Sequence, residues 1–194
     1  MRTVSSLFLL GLVIVATSCF SYRELPIEYD YSYYGRFKKY RTFAFMRPPE
    51  QDTIMRNEIV EDAISSRLRL QGYKYKSQKP NLLISYRLYY DSLRFRGYDQ
   101  PDIEEWSKRP KVTEEYDSRS YEMKTGTLLI QIFDRRQERS IWQGYATGMY
   151  GDTYLRNSRQ LKVAVRSILD RYRFMADGFM EGELSDEVEG LNNP

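Results

Sequence analysis

An α+β fold is expected for this chain: a single domain with a mostly antiparallel sheet of about five strands and two amphipathic helices packed on one face. Apolar residues recur at helical spacing in two stretches, one within 53–70 and one from Leu161 to Tyr172. Apolar and polar residues alternate, as on half-buried strands, within 82–93, 121–133 and 140–150. An apolar run ending at the chain's one cysteine, Cys19, sets the first 18 residues apart. About 175 residues then remain, the size of one domain.

Residues 1–18 have the layout of a signal peptide. Arg2 supplies positive charge, Leu7 to Val15 an apolar segment, and Ala16, Thr17 and Ser18 the small residues that a signal peptidase accepts. The apolar run is shorter than the roughly 20 residues a helix needs to cross a bilayer. Small residues ending in cysteine look like a lipobox, with cleavage between Ser18 and Cys19 and acylation of Cys19. An ordinary secretory signal that leaves Cys19 as a free thiol is the alternative. Acyl chains such as palmitate add about 0.8 kcal/mol of membrane affinity per buried methylene, so the anchor would hold firmly. Residues 19–26 would form the lipidated tether. Phe20, rather than Asp, after the cysteine favours the outer membrane, and no acidic run follows to direct export to the cell surface.

The body, 27–174, is expected to open with two strands, Ile27 to Tyr34 and Phe37 to Phe45, with Gly35 at the bend. Asp52 suits the N-cap of a helix from Thr53 to Leu70, with Gly72 just past its end. Val60, Ala63, Ile64 and Leu68 give that helix its apolar stripe. Along a strand from Leu82 to Leu93, Leu82, Ile84, Tyr86 and Leu88 face one way, and Leu83, Ser85, Arg87 and Tyr89 the other.

From Asp99 to Ser118 the chain is polar, with Pro101, Pro110 and a lone Trp106, which predicts a long loop. Loops beyond about 12 to 15 residues are usually functional or disordered, so Tyr98 and Trp106 become candidate partner contacts. Tyr121 to Phe133 and Ser140 to Tyr150 read as a hairpin around the turn 134–139. Gly144, Gly148, Trp142 and Ala146 share one face of its second strand, leaving room for a helix or ring to approach. Asn157 suits the cap of the last helix, in which Leu161, Ala164, Val165, Ile168, Leu169 and Tyr172 form one stripe. Residues 175–194 are acidic and are expected to be disordered.

Composition removes several chemistries. The chain has no histidine and a single cysteine, so Ser-His-Asp and Cys-His arrangements and the usual zinc ligand sets are excluded. No phosphate-binding glycine loop, dinucleotide fingerprint or G-x-S-x-G is present. No catalytic, cofactor-binding or metal-ligating residue is therefore assigned. Adjacent carboxylates such as Glu61-Asp62 point in different directions and do not make a glycosidase pair.

Basic residues cluster at Arg36, Lys38, Lys39 and Arg41, at Arg67, Arg69, Lys74, Lys76 and Lys79, at Lys108, Arg109 and Lys111, and at Arg135, Arg136 and Arg139. Such clusters could meet anionic headgroups or cell-wall polymer, but a solvated surface is the plainer explanation. Nucleic acid is not expected as a partner of an exported chain. Gly126, Trp142 and Gly144 are a candidate patch at a sheet end, with turn geometry and core packing as the alternative. Tyrosine groups at 29–34 and 86–90 could stack on sugars or partners, or serve as strand residues.

The segments Phe37 to Phe45, Asn57 with the first helix and Gly72-Tyr73, Pro80 to Ile84, Gly126 to Asp134 and Ile141 to Ala146, in that order, resemble the bacterial lipoprotein family of domain of unknown function 4136. The resemblance covers roughly residues 28 to 174 and implies an α/β lipoprotein domain of unknown activity. Asn81 stands where that family commonly has Asp, Gln131 where an acidic residue is frequent, and the acidic tail is additional. The expected role is a non-enzymatic lipoprotein of the outer membrane, on its periplasmic face, that binds or scaffolds another cell-envelope component. Its partners would be the membrane, through the lipid anchor, and an envelope protein, with no metal or cofactor. A small glycan-binding or glycan-processing lipoprotein is the alternative.

Overall fold

The computed structural model describes residues 25–46, 57–89, 93–98, 100–108, 117–123, 126–149 and 157–179. Ser18, Cys19, the proposed helix cap Asp52 and most of the acidic tail lie outside the described residues. In chain order the elements are β1 (Ile27–Tyr31), β2 (Thr42–Phe45), α1 (Asn57–Leu70), β3 (Lys74–Tyr75) and β4 (Leu82–Tyr89). Then follow β5 (Leu93–Tyr98), α2 (Ile103–Lys108), β6 (Ser118–Met123), β7 (Thr127–Asp134), β8 (Arg139–Ala146) and α3 (Ser158–Leu169).

The domain is α+β, but its main sheet is mixed and has six strands, in the order β1-β8-β7-β4-β2-β3, and β5 and β6 form a separate pair. This corrects the expectation of a mostly antiparallel sheet of five strands. β1, β8, β7 and β4 are antiparallel neighbours, whereas β2 runs parallel to both β4 and β3. Parallel neighbours need a long crossover, and α1 provides it. The chain does not fold back at Gly35 to pair its first two strands. β1 joins β8 and β2 joins β4, on opposite flanks of the sheet, with a 3-10 turn at Phe37–Lys39 between them. β3 is two residues long with both side chains exposed, so it leaves no alternation to read.

Two further boundaries differ from the sequence expectation, and one glycine explains part of the change. β4 pairs with β7 only as far as Tyr89 opposite Thr127. Gly126, just before β7, has φ +77°, and a Cβ there would lie 2.3 Å from the Met149 carbonyl oxygen. Only glycine fits such a bend so close to the backbone of the segment after β8. β6 is thereby separated from β7 and pairs with β5. Within the stretch expected to be a loop, Ile103–Lys108 is helical.

Alternation along the central strands is observed as expected: Leu82, Ile84, Tyr86 and Leu88 are buried on one face of β4, as are Leu128, Ile130 and Ile132 of β7. The helices cover that face. Val60, Ile64 and Leu68 of α1 are fully buried, as are Ala164, Val165, Ile168 and Leu169 of α3, and α3 packs on α1 and on β8. Asn157 caps α3 by accepting the N–H groups of Arg159 and Gln160 at 3.0 and 3.4 Å.

α1 ends in a Schellman motif. Gly72 at φ +85° donates to the Arg69 carbonyl and Tyr73 donates to Leu68, with the Tyr73 and Leu68 side chains both buried. The chain from Met175 to Phe179 is docked on the domain. Ala176 N–H donates to Gln71 O, Asp177 N–H to Tyr40 O, and the Phe179 ring lies over Gly72.

Candidate functional site

Two concavities lie side by side where the chain enters β2 and leaves β7. One, about 260 Å³, is lined by Arg36, Lys39, Tyr40, Asn81, Asp134 and Arg136. The other, about 320 Å³, is lined by Tyr33, Tyr34, Phe37, Lys38, Trp106 and Phe174. Arg36 and Lys39 border both, so the turn around Phe37 is the ridge between them.

The ridge is rigid for reasons that can be traced. Phe37 is buried at the end of the core, stacked on Phe174 with ring centroids 4.5 Å apart and 6° between planes. Tyr40 closes the turn from the other side, because its hydroxyl accepts the Arg36 N–H at 2.9 Å and donates to Asp134 Oδ2 at 2.8 Å. Burial pushes the Tyr40 phenol well above its usual range. The Arg36 N–H works against that rise, and the bond to the Asp134 carboxylate adds to it. The phenol is therefore a donor at neutral pH and does not act as a base.

Asp134 is buried and its oxygens are occupied. Oδ1 accepts the N–H groups of Arg136 and Gln137 at 2.7 and 3.1 Å, while Oδ2 also accepts the Gln137 amide at 3.1 Å. It is an Asx cap on the β7–β8 turn, and its bonds are committed to holding the cleft wall. Asn81 accepts through Oδ1 from Arg41 N–H, Thr42 N–H and Thr42 Oγ1, at 2.9, 3.1 and 3.0 Å. Those are bonds an aspartate oxygen could also take, which gives a physical reason why Asn and Asp can exchange at this position.

The cations differ from these residues. Arg36, Lys38, Lys39 and Arg136 are exposed. The ion pairs among the described residues are Arg41 with Asp177 and Arg67 with Asp170, both at 2.8 Å, so none of these four is in an ion pair there, and the carboxylate that shares their cleft is Asp134. Beside them, Arg139 lies over the exposed Tyr34 ring at 4.6 Å. The site thus combines concentrated positive charge with an aromatic wall. It can hold an anionic or aromatic-stacking ligand, and it contains no nucleophile-base pair. Among the described residues no three His, Cys, Asp or Glu side chains gather where a metal could bind.

The residues singled out in the sequence take varied positions. Trp106, on α2, is 6% exposed and packs against Tyr31 and Tyr33 at 5.4 and 5.5 Å, so it lines the aromatic groove from below. Its indole N–H has no hydrogen-bond partner among the described residues. Tyr98, at the end of β5, is half-exposed and is not among the residues lining either cleft.

Gly126, Trp142 and Gly144 are not brought together at one sheet end. Gly126 is at the far end of β7 from Asp134, and Trp142 and Gly144 lie along β8 opposite Ile132 and Ile130. Trp142 is 1% exposed against Tyr172, and Gly144 admits both the Trp142 ring and Ile168 of α3. Tyr40, Asp134 and Phe174 were not singled out in the sequence; two of the four basic clusters flank them, and nothing in the sequence set those two apart from the others.

A mixed sheet covered on one face by two packed helices, with a cationic and aromatic double cleft at one end, defines the class of protein at hand. The family described as Domain of unknown function (DUF4136) matches residues 27–172, and the chain belongs to it. Solved structures share the fold. A DUF4136 family protein from Bacteroides thetaiotaomicron VPI-5482 superposes with a TM-score of 0.52 at 16% identity, over 78% of this chain and 97% of that one. A PDZ domain protein from Parabacteroides distasonis ATCC 8503 gives a TM-score of 0.51 at 16% identity, over 79% of this chain, which spans 36% of that protein. No curated protein matches the sequence.

Proposed function

We propose that this chain is a non-enzymatic lipoprotein, anchored by Cys19 in the outer membrane on its periplasmic face, whose domain binds or scaffolds an envelope component that presents anionic groups. The observation that carries the binding role is the set of four cations, Arg36, Lys38, Lys39 and Arg136, gathered around two clefts without ion-pair partners among the described residues. Clustered like charges repel one another, so a ligand of opposite charge relieves them. The anchor rests on the apolar run ending in Ser18-Cys19.

The two parts are tested separately. Cys19→Ala should move the protein from the membrane fraction to the soluble fraction, and membrane retention without lipid rejects the anchor. Capture from crosslinked envelopes by the chain and by a Lys39→Glu, Arg136→Glu variant tests the binding role. Loss of a stoichiometric partner in the variant is expected, and equal capture rejects the cleft.

The glycan-binding alternative has its own support in the groove of Tyr33, Tyr34, Phe37 and Trp106, since aromatic walls stack on sugar rings. Saccharide retention on a glycan array that is lost in Tyr34→Ala favours it. Processing is less well supported than binding, because the cleft carboxylate, Asp134, is fully engaged in structural hydrogen bonds.

A further inference from the structure

The C-terminal segment 180–194 carries Glu181, Glu183, Asp186, Glu187 and Glu189 and no lysine or arginine. We propose that this segment occupies the cationic cleft of its own chain, as an internal acidic ligand that an external one must displace. The inference rests on the reading of that cleft as a binding site and adds the means by which access to it is regulated.

Three observations place the occupant. The chain just before the segment already lies on this end of the fold. Asp177 N–H donates to the carbonyl of Tyr40, a cleft residue, and its carboxylate pairs with Arg41 at 2.8 Å. The first acidic group of the tail is thus seated on the basic cluster that begins at Arg36. Phe179, packed over Gly72, then fixes the point of departure.

Reach is ample, because 15 residues extended at about 3.4 Å each span about 50 Å. Charge is complementary, with five carboxylates in the segment's sequence and four cations, Arg36, Lys38, Lys39 and Arg136, around the clefts. A tethered segment of this length acts at an effective concentration on the order of millimolar, so weak individual contacts suffice for occupancy. Lys74 and Lys76, also near the exit, belong to the outer edge strand β3 and its end, and neither lines one of the two clefts.

Zero-length carbodiimide crosslinking of the intact chain, mapped by mass spectrometry, tests this. Amide crosslinks from Lys38 and Lys39 to the acids of 180–194 are expected. They should fall at least about fivefold in 0.5 M NaCl, where charges are screened within a few ångströms, and likewise in an Arg36→Glu, Arg136→Glu variant that leaves both reporter lysines in place. Crosslinks that fall instead on Lys74, Lys76 and Lys79, or that form only between light and heavy isotope-labelled copies, overturn the proposal.

A chain ending at Phe179 should bind a poly-glutamate probe about tenfold more tightly than the intact chain, and equal affinities overturn the proposal. The crosslink map uses no envelope component, so it can fail while capture by the cleft stands. Loss of envelope capture in the chain ending at Phe179 would instead reject the binding reading itself.

Discussion

The hydroxyl of Tyr40 donates to Asp134 Oδ2 at 2.8 Å, across 94 residues of sequence. The bond ties the turn that precedes β2 to the turn that follows β7, and these turns carry the two basic clusters of the site. Asp134 caps its own turn while receiving this bond, so one buried carboxylate sets the position of both walls.

Tyr40→Phe should therefore loosen the cleft without emptying the core. The ring stays, but the Arg36 N–H loses its acceptor and Asp134 one of its donors. A loss of about 1–3 kcal/mol is expected in urea unfolding, as for a buried hydrogen bond whose partner remains. An unchanged midpoint would show that the two turns are held together by packing alone.

Gly144→Ala is expected to be costly for a different reason. A Cβ at this position would lie 2.4 Å from the Trp142 ring and 2.8 Å from Ile168 Cγ2, both in the packed layer between β8 and α3. Overpacking of this kind costs about 1–3 kcal/mol. The thermal midpoint should fall accordingly, and a variant as stable as the parent would mean that α3 can shift away from the sheet freely.

These two sites mark what was and was not legible in the sequence. The face of β4 could be read because one side of it is more deeply buried, which leaves a period of two, whereas β7 shows that period only past Ile130, its first four residues being buried on both sides. The stripe and Asn157 cap of α3 were legible for the same kind of reason, as was the small residue at 144 under a neighbouring element. Pairing was not legible: alternation says that 42–45 is extended, but not that its neighbour is β4 rather than β1.

The six-residue helix around Trp106 completes less than two turns, too few to show a helical period. The basic clusters at 36–41 and 135–139 were visible singly. Their meeting at Tyr40 and Asp134 is a property of the fold.

Alkaline titration should expose the buried phenols. Tyr40, Tyr73 and Tyr172 are all held above the ordinary tyrosine value of 10.0, chiefly by burial. Their folded values exceed their unfolded ones, so the unfolded chain releases these protons first. Their contribution is intact below about pH 10 and is lost as pH rises beyond it. Absorbance at 295 nm should show most of the 18 tyrosines ionising smoothly. A remainder should ionise only with a cooperative loss of circular dichroism, and one smooth phase with the fold intact would contradict the burial of these three.

Asp30 gives the corresponding acid-side prediction. Burial raises its carboxyl above the ordinary value of 3.8, against the opposing bonds from Tyr31 N–H and the Gln143 amide. The folded chain thus holds this proton more tightly than the unfolded chain, and stability from this group falls as pH rises from about 3.8 through the raised folded value. Asp30→Asn keeps an oxygen to accept the Tyr31 N–H and cannot ionise. The variant's stability relative to the parent should increase steadily as urea midpoints are followed from pH 3.5 to 7, then level off. A difference independent of pH would show that the charged carboxylate is at no disadvantage between β1 and β8.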